Sequence, residues 1–353
     1  MTDRIDPGRA TVSTVVLREL RKLGVDRIFA VAGTDYASFL ESLAEDPSLP
    51  EFVAVPHENV AAAAAYGYSL AGKLGVLAVH TLPGLANSLG EIMNAHGSRV
   101  PMLVLVGRTP YTEVGSAASR SILVHWTQDA RDPAGPARQW VKLEMEVRDP
   151  TQASRAVRRA YQVAMSEPRG PVLLLFPREV TVMEAREDGV VMEPCEPGPT
   201  EDSIRRLERL LEDSGRPLIV TWRSGRRRQW FDSLRDFADR YRIPVLNYVG
   251  EVVNYPSSGD MALEVDASEA DLLIVVESEV PWIPRHGAVK GKVARIDVDP
   301  LYGHIPYYGF PCDLCIRSSP GEALNRIKLD RHDWDWRLDR AEQERRRAEE
   351  IER

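Results

Sequence analysis

The segment "VAVPHENVAAAAAYGYSLAG", residues 53–72, places a histidine and an acid, His57 and Glu58, where a strand-like run meets an alanine-rich helix. A carboxylate in the first turn of a helix is favoured by the helix dipole, so capping explains Glu58 without any function. The following side chains are so small that another backbone or a flat ligand can pack against this helix. Such packing would enclose Glu58 in a poorly hydrated site, as a catalytic acid requires.

Two further strand-to-helix junctions contain glycine. Gly33, in "VAGTDYASF", would let the backbone approach a ligand, but no full G-x-G-x-x-G follows and a plain tight turn explains it equally well. In "HTLPGLANS", residues 80–88, Pro83 and Gly84 predict a rigid turn at the carboxyl end of a strand. Asn87 either offers its amide to a heterocycle or begins the next helix.

The segment "VHWTQDARD", residues 124–132, contains several polar and aromatic residues. His125 alone is more typical of a structural histidine than of a catalyst, and Trp126 is more typical of packing than of a substrate wall. Cys312 and Cys315 form a C-x-x-C that lacks the second ligand pair of a zinc site. We expect these cysteines to be small buried hydrophobic residues.

The elements that must position these residues are apolar strands alternating with helices. Runs such as "RIFAV", "GVLAV" and "PMLVLV" are apolar throughout, which predicts a parallel sheet covered on both faces. Residues 184–201 are rich in proline, glycine and acid and indicate a linker, after which the alternation restarts. The sequence therefore predicts an α/β fold class with two doubly wound parallel-sheet domains, at 1–183 and 202–330, and a charged helical tail at 331–353.

Composition excludes several classes of function. The 353 residues carry a net charge of −8, so no global field favours nucleic acid or an anionic membrane. The N-terminal residues contain no long apolar run, and no later stretch approaches the roughly 20 apolar residues of a membrane-spanning helix. We expect a cytoplasmic protein.

Taken in order, several segments resemble the pyrimidine-binding domain of thiamine diphosphate-dependent enzymes, the acetolactate synthase and 2-oxo acid decarboxylase superfamily. The matching segments span nearly all of residues 12–182 and are "IFAVAGTDYASFLESL", "VPHENVAAAAAYGYSLAGKLGVLAVHTLPGLANSL", "NAHGSRVPMLVLVGRTP", "HWTQDARDPAGPARQWVKLEMEV" and "GPVLLLFPREV". The second unit, from "RPLIVTW" to "SPGEALNRI", is similar to the Rossmann-like central domain of the same enzymes. The resemblance therefore extends to about residue 330.

The resemblance implies roles for individual residues. Glu58 would hydrogen-bond the aminopyrimidine ring of thiamine diphosphate and promote loss of the thiazolium C2 proton. The activated cofactor would decarboxylate a 2-oxo acid, and the resulting enamine would be protonated or carboligated, as in acetolactate synthase, a transferase, or in the decarboxylases, which are lyases. Gln128 would face the reacting centre, and His57 would either position the substrate or only pack. The loops lining the pyrimidine would contribute Gly33, Pro83, Gly84 and Asn87.

The sequence also departs from the family pattern. Ala32-Gly33-Thr34 replaces P-G-G, and Thr81-Leu82-Pro83-Gly84 replaces S-G-P-G, so the resemblance does not identify the substrate. The turn "TWRSGRRR" replaces the glycine-rich turn of the flavin-binding members, which argues against bound FAD. We expect Arg226 to Arg228 to form a solvated basic turn rather than an anion site.

The resemblance does not include a third domain. In the family that domain carries G-D-G followed by an asparagine and holds Mg²⁺ and the diphosphate, and no such motif occurs in these 353 residues. We expect no metal ligand in this chain, and a separate partner subunit that supplies the missing half of the site in a heteromer, a heterotetramer with two copies of each chain. The alternative is a non-catalytic or regulatory subunit that has lost its diphosphate-binding domain.

Overall fold

The computed structural model describes residues 10–188, 192–248, 250–262, 265–287, 289–330 and 333–336. The chain divides into two compact units, Met1–Cys195 and Glu196–Arg353, and each unit contains its own parallel sheet. The predicted fold class, two α/β domains with parallel sheets, is confirmed. Most of the predicted helical tail, residues 331–332 and 337–353, lies outside the described residues.

The first unit is built on a six-stranded sheet whose strands all run parallel, in the order β3-β2-β4-β5-β7-β6. Its strands are β2 (Arg27–Val31), β3 (Glu51–Ala54), β4 (Gly75–Val79), β5 (Met102–Arg108), β6 (Leu143–Glu146) and β7 (Pro171–Pro177). Two short strands, β1 (Ala10–Thr11) and β8 (Glu184–Ala185), pair antiparallel beside it. β4 and β7 are buried along their whole length because helices cover both faces of the sheet.

The helices of this unit pack on two separate hydrophobic cores, one on each face of the sheet. They are α1 (Val12–Lys22), α2 (Ala37–Glu45), α3 (Glu58–Leu70), α4 (Thr81–Gly97), α5 (Val124–Thr127), α6 (Ala153–Met165) and α7 (Arg178–Thr181). The turn predicted at Pro83 and Gly84 is wrong, because both residues lie in the first turn of α4. Proline is tolerated there since the first N–H groups of a helix have no intrahelical partner.

The second unit contains a five-stranded parallel sheet in the order β10-β9-β11-β12-β13. Its strands are β9 (Pro217–Thr221), β10 (Val245–Asn247), β11 (Leu272–Val276), β12 (Lys292–Asp297) and β13 (Leu314–Arg317), and its helices are α8 (Glu201–Glu212), α9 (Arg228–Tyr241) and α10 (Pro320–Leu324). The solvated basic turn is wrong for Arg226. Its side chain is 5% exposed, and Nη2 lies 2.7 Å from a carboxylate oxygen of Glu277.

The prediction that Cys312 and Cys315 are buried is also wrong. Both residues are exposed, and their sulfur atoms are joined in a disulfide bond. Burial alternates along β13, and Cys315 falls on the exposed side because this strand forms the edge of its sheet. Among the described residues, no helix is both long enough and apolar enough to cross a membrane.

Candidate functional site

The candidate site lies at the carboxyl ends of β2, β3 and β4. The strand order reverses where β2 and β4 lie side by side, and ligands of open α/β sheets bind in the crevice beyond such a point. Asp35 follows β2, Glu58 follows β3 and His80 follows β4. Three strand ends therefore bring titratable side chains to the predicted ligand-binding edge.

Glu58 is not the cap of its helix. The cap of α3 is His57, whose Nδ1 accepts a hydrogen bond from the Asn59 backbone N–H at 3.1 Å. The Glu58 carboxylate instead accepts at Oε2 from the Asn87 amide, across 3.0 Å. Asn87 lies well inside α4, so it does not begin that helix. The pair holds the carboxylate at the surface of the sheet edge, where it is half-buried.

Gly84 makes room for this carboxylate. A Cβ at Gly84 would lie 3.0 Å from the Cβ of Val79 and 3.5 Å from the Cγ of Glu58. The buried start of α4 therefore packs directly against the strand and the acid. Pro83, the preceding residue in the first turn of α4, is exposed.

A second pair, Asp35 and His80, was missed by the sequence reasoning. His80 Nδ1 lies 2.7 Å from a carboxylate oxygen of Asp35, which is 2% exposed, and the Thr81 backbone N–H donates to the other oxygen at 3.3 Å. The hydrogen bond with Asp35 raises the pKa of His80 against the opposing effect of burial. The carboxylate fits only because Gly107 has no side chain, since a Cβ there would lie 1.6 Å from Asp35 Oδ2.

The imidazole of His80 also requires that residue 33 be a glycine. A Cβ at Gly33 would lie 2.2 Å from His80 Nδ1, far closer than any real contact. The backbone of Gly33 has φ −121°, which any residue adopts. Space for His80 therefore explains the glycine better than a tight turn does.

Gln128 joins the site through His80. Its Oε1 lies 3.2 Å from His80 Nε2. With Asp35 on one ring nitrogen and a carbonyl oxygen on the other, both nitrogens are placed to donate, as in an imidazolium. The charge of Glu58 raises the pKa of His80 further, which links the two pairs.

His125 has a structural role beside Gln128. It is 1% exposed, its Nδ1 accepts from the Ser121 N–H at 3.1 Å, and its Nε2 lies 3.2 Å from Thr34 Oγ1. Burial lowers the pKa of His125. A neutral ring that accepts at Nδ1 must donate from Nε2, so His125 ties the segment carrying Gln128 to the turn after β2. Trp126 is 45% exposed, and it packs against Arg120, whose guanidinium carbon lies 5.3 Å from the centroid of the indole ring.

Among the residues predicted to form the site, Glu58 lies directly beside both Gly84 and Asn87. Gly33 and Gln128 are brought together by His80, which lies against both. His57 caps α3 and points its polar atom at the helix backbone. In the described part of the chain, no three histidine, cysteine or acidic side chains cluster as metal ligands. Fold and site thus define an α/β domain that presents an acid–amide pair and an aspartate–histidine pair at a switch point.

The comparisons with known proteins agree with this class. Residues 10–134 match the N-terminal TPP binding domain of thiamine pyrophosphate enzymes. The chain is 27% identical over 349 residues to an acetolactate synthase large subunit from Lactococcus lactis, covering 91% of this chain and 58% of that protein. It is 25% identical over 306 residues to oxalyl-CoA decarboxylase from Escherichia coli, covering 81% of this chain and 52% of that protein.

A solved structure shows the same fold. The X-ray structure of a Mycobacterium smegmatis protein described as a thiamin diphosphate-dependent enzyme superposes with a TM-score of 0.79 at 22% identity, covering 94% of this chain and 64% of that one. The chain spans between half and three fifths of the length of the curated relatives named above. The match over residues 10–134 and these relatives confirm the resemblance to thiamine diphosphate-dependent enzymes found in the sequence.

Proposed function

We propose that this chain forms the pyrimidine-binding side of a thiamine diphosphate site in an enzyme that decarboxylates a 2-oxo acid and then protonates or carboligates the product. The observation that carries the proposal is the Glu58 carboxylate, held by Asn87 at the carboxyl edge of the sheet. The names of the relatives, an acetolactate synthase and a decarboxylase, support this reaction class.

The residues present fit the pyrimidine end of the cofactor. Only Oε2 of Glu58 is engaged, and among the described residues Oε1 has no partner. Gly84 leaves no side chain beside the carboxylate. When bound, thiamine diphosphate supplies a nucleophilic carbon. Glu58 would donate to and accept from a pyrimidine nitrogen through Oε1, with Asn87 fixing its orientation and His57 fixing the start of α3.

His80 would hold a proton for the reacting atoms. Asp35 stabilises its charged form, because a carboxylate this close favours the imidazolium. Substrate would compete with Gln128 for the proton on Nε2, and the released amide would then bind a substrate oxygen. This arrangement gives the site a proton donor on a group other than Glu58.

The diphosphate end of the site belongs, in this proposal, to a separate subunit that carries the G-D-G…N motif and Mg²⁺. One observation on this chain supports such a partner, since Glu58 and Asn87 lie at an accessible surface. An assembly with two copies of each chain would place a partner at every Glu58.

Reconstitution tests the proposal. We expect the full chain, mixed with the partner subunit, thiamine diphosphate and Mg²⁺, to release carbon dioxide from at least one member of a panel of 2-oxo acids. Glu58→Gln should abolish that activity while the far-ultraviolet circular dichroism of the chain is unchanged. Full activity of the chain without a partner would contradict the split site, and a complex that binds cofactor but turns over no 2-oxo acid would instead indicate a non-catalytic subunit.

A further inference from the structure

A cavity lies on the same edge of the first sheet as the candidate site, at the ends of β5, β7 and β6. Its volume is about 380 Å³, within the usual size range of small-molecule sites. It shares no lining residue with the site around Glu58 and His80. The cavity is therefore a separate feature, and nothing in the proposed reaction uses it.

Charged side chains dominate the cavity wall. Four arginines and three carboxylates line it, namely Arg108, Arg131, Arg138, Arg148, Asp132, Glu144 and Glu146. The faces of a parallel sheet are ordinarily covered by apolar helices. Here Glu144 and Glu146, two residues apart on the edge strand β6, face a loop and a 3₁₀ helix, Gly135–Trp140.

The three carboxylates are already neutralised by arginine. Arg138 binds Asp132 through two nitrogens, at 2.7 and 2.8 Å, and binds Glu144 through Nε at 2.8 Å. Glu146 binds Arg108 at 2.6 Å and Arg148 at 3.3 Å. The wall thus has one more cation than it has carboxylates.

Arg131 is the surplus cation. It is exposed, and within the described ranges it makes neither a hydrogen bond nor an ion pair. Two buried atoms in the wall are also unsatisfied by any described residue. Nε of Arg108 is a donor that an anion can accept from, whereas Oε2 of Glu144 is an acceptor that suits only a donor such as water. Buried polar atoms without partners are rare in native proteins and commonly mark the place of a water or a ligand.

We propose that this cavity binds a small organic anion, a carboxylate or a phosphate ester, with Arg131 as its principal ligand and Arg108 as its support. A guanidinium presents paired N–H donors that match either group. The volume exceeds what a bare inorganic ion fills, since one water occupies about 30 Å³. Met145, Leu175 and Ala134 supply apolar wall for the carbon skeleton.

Calorimetric titration of the full chain with succinate and with inorganic phosphate, at constant ionic strength set by chloride, tests the proposal. We expect saturable binding of at least one probe, and the tighter probe identifies the preferred anion. Arg131→Gln should weaken binding by about 10- to 100-fold, as expected for a charge-assisted hydrogen bond. Arg131→Lys, which keeps the charge but loses the paired donors, should give an intermediate loss.

Arg27→Gln is the matched control. Arg27 is likewise an exposed arginine, but it pairs with Glu51 and lies at the amino end of β2, on the opposite edge of the sheet. Binding by this variant should stay within twofold of the wild type. Non-saturable binding of both probes, or equal weakening by Arg27→Gln and Arg131→Gln, would overturn the proposal. Arg131 is exposed, so its substitution leaves the fold intact.

Discussion

The imidazole of His80 lies 2.7 Å from the buried carboxylate of Asp35, across the point where the order of strands in the first sheet reverses. Gly33 and Gly107 lack the side chains that would occupy this space. The pair therefore depends on two glycines from different strand ends. It gives the candidate site a histidine whose pKa is raised by a fixed partner.

Asp35→Asn should lower the pKa of His80. The amide removes the negative charge that favours the imidazolium, while the partial burial that disfavours it remains. The change should also cost about 1–3 kcal/mol in the free energy of unfolding, because the buried carboxylate accepts from both His80 and the Thr81 backbone. An NMR titration of His80 measures the first effect, and an unchanged pKa would show that Asp35 does not control it.

Gly33→Ala should displace His80 and destabilise the chain by about 1–3 kcal/mol, since the new methyl group overlaps the ring. Gly67→Ala is the matched control, because Gly67 lies in α3 with nothing within 4 Å of an added Cβ. That substitution should instead stabilise the chain by about 0.5–1 kcal/mol. Denaturant unfolding of the isolated chain measures both. Equal effects would contradict the close approach of Gly33 and His80.

The two histidines should impose opposite pH dependences on stability. His80 has a raised pKa, so its contribution is complete below about pH 6.5 and is lost as pH rises through the raised value. His125 has a lowered pKa, so its contribution is complete above about pH 6.5 and is lost as pH falls through the lowered value. Free energies of unfolding measured from pH 4 to 9 should therefore distinguish the two. His125→Gln should lose the decline in stability at acid pH, and Asp35→Asn should lose the decline at alkaline pH.

Asn87→Ala should reduce kcat of the proposed reconstituted enzyme by about 10- to 100-fold, because it removes the hydrogen bond that orients the Glu58 side chain. Asn94→Ala is the matched control. Asn94 lies on the same helix and makes the same kind of bond, to Glu91 at 3.0 Å, away from the site. Its kcat should stay within twofold of the wild type. A similar loss in both variants would indicate a general effect on α4.

The sequence predicted the central strands of both sheets because burial on both faces leaves continuous apolar runs, as in β4 and β7. It did not predict β6, where Leu143–Glu146 alternates apolar and acidic residues at the edge of the sheet. The sequence predicted the first residues of the helices less accurately than the central strands, for a local reason. α4 begins at Thr81 because its first N–H groups need no helical partner and one of them is satisfied by Asp35.

The sequence predicted only part of the candidate site. Glu58, Asn87 and Gln128 were predicted from their positions in recognisable segments. Their contacts were not predictable, since Glu58 and Asn87 are 29 residues apart and meet only when α3 packs against α4. Asp35 and His80 are 45 residues apart, and only the pairing of β2 with β4 brings them together.

Exchange of the C2 proton of thiamine diphosphate with deuterium, followed by NMR in a complex of this chain with the proposed diphosphate-binding subunit, tests the role of Glu58 most directly because it needs no substrate. The wild-type complex should exchange this proton far faster than free cofactor does. Glu58→Gln should bind the cofactor and slow the exchange by about 10²- to 10⁴-fold, the usual contribution of a positioned acid or base. Exchange at the wild-type rate in Glu58→Gln would contradict the account.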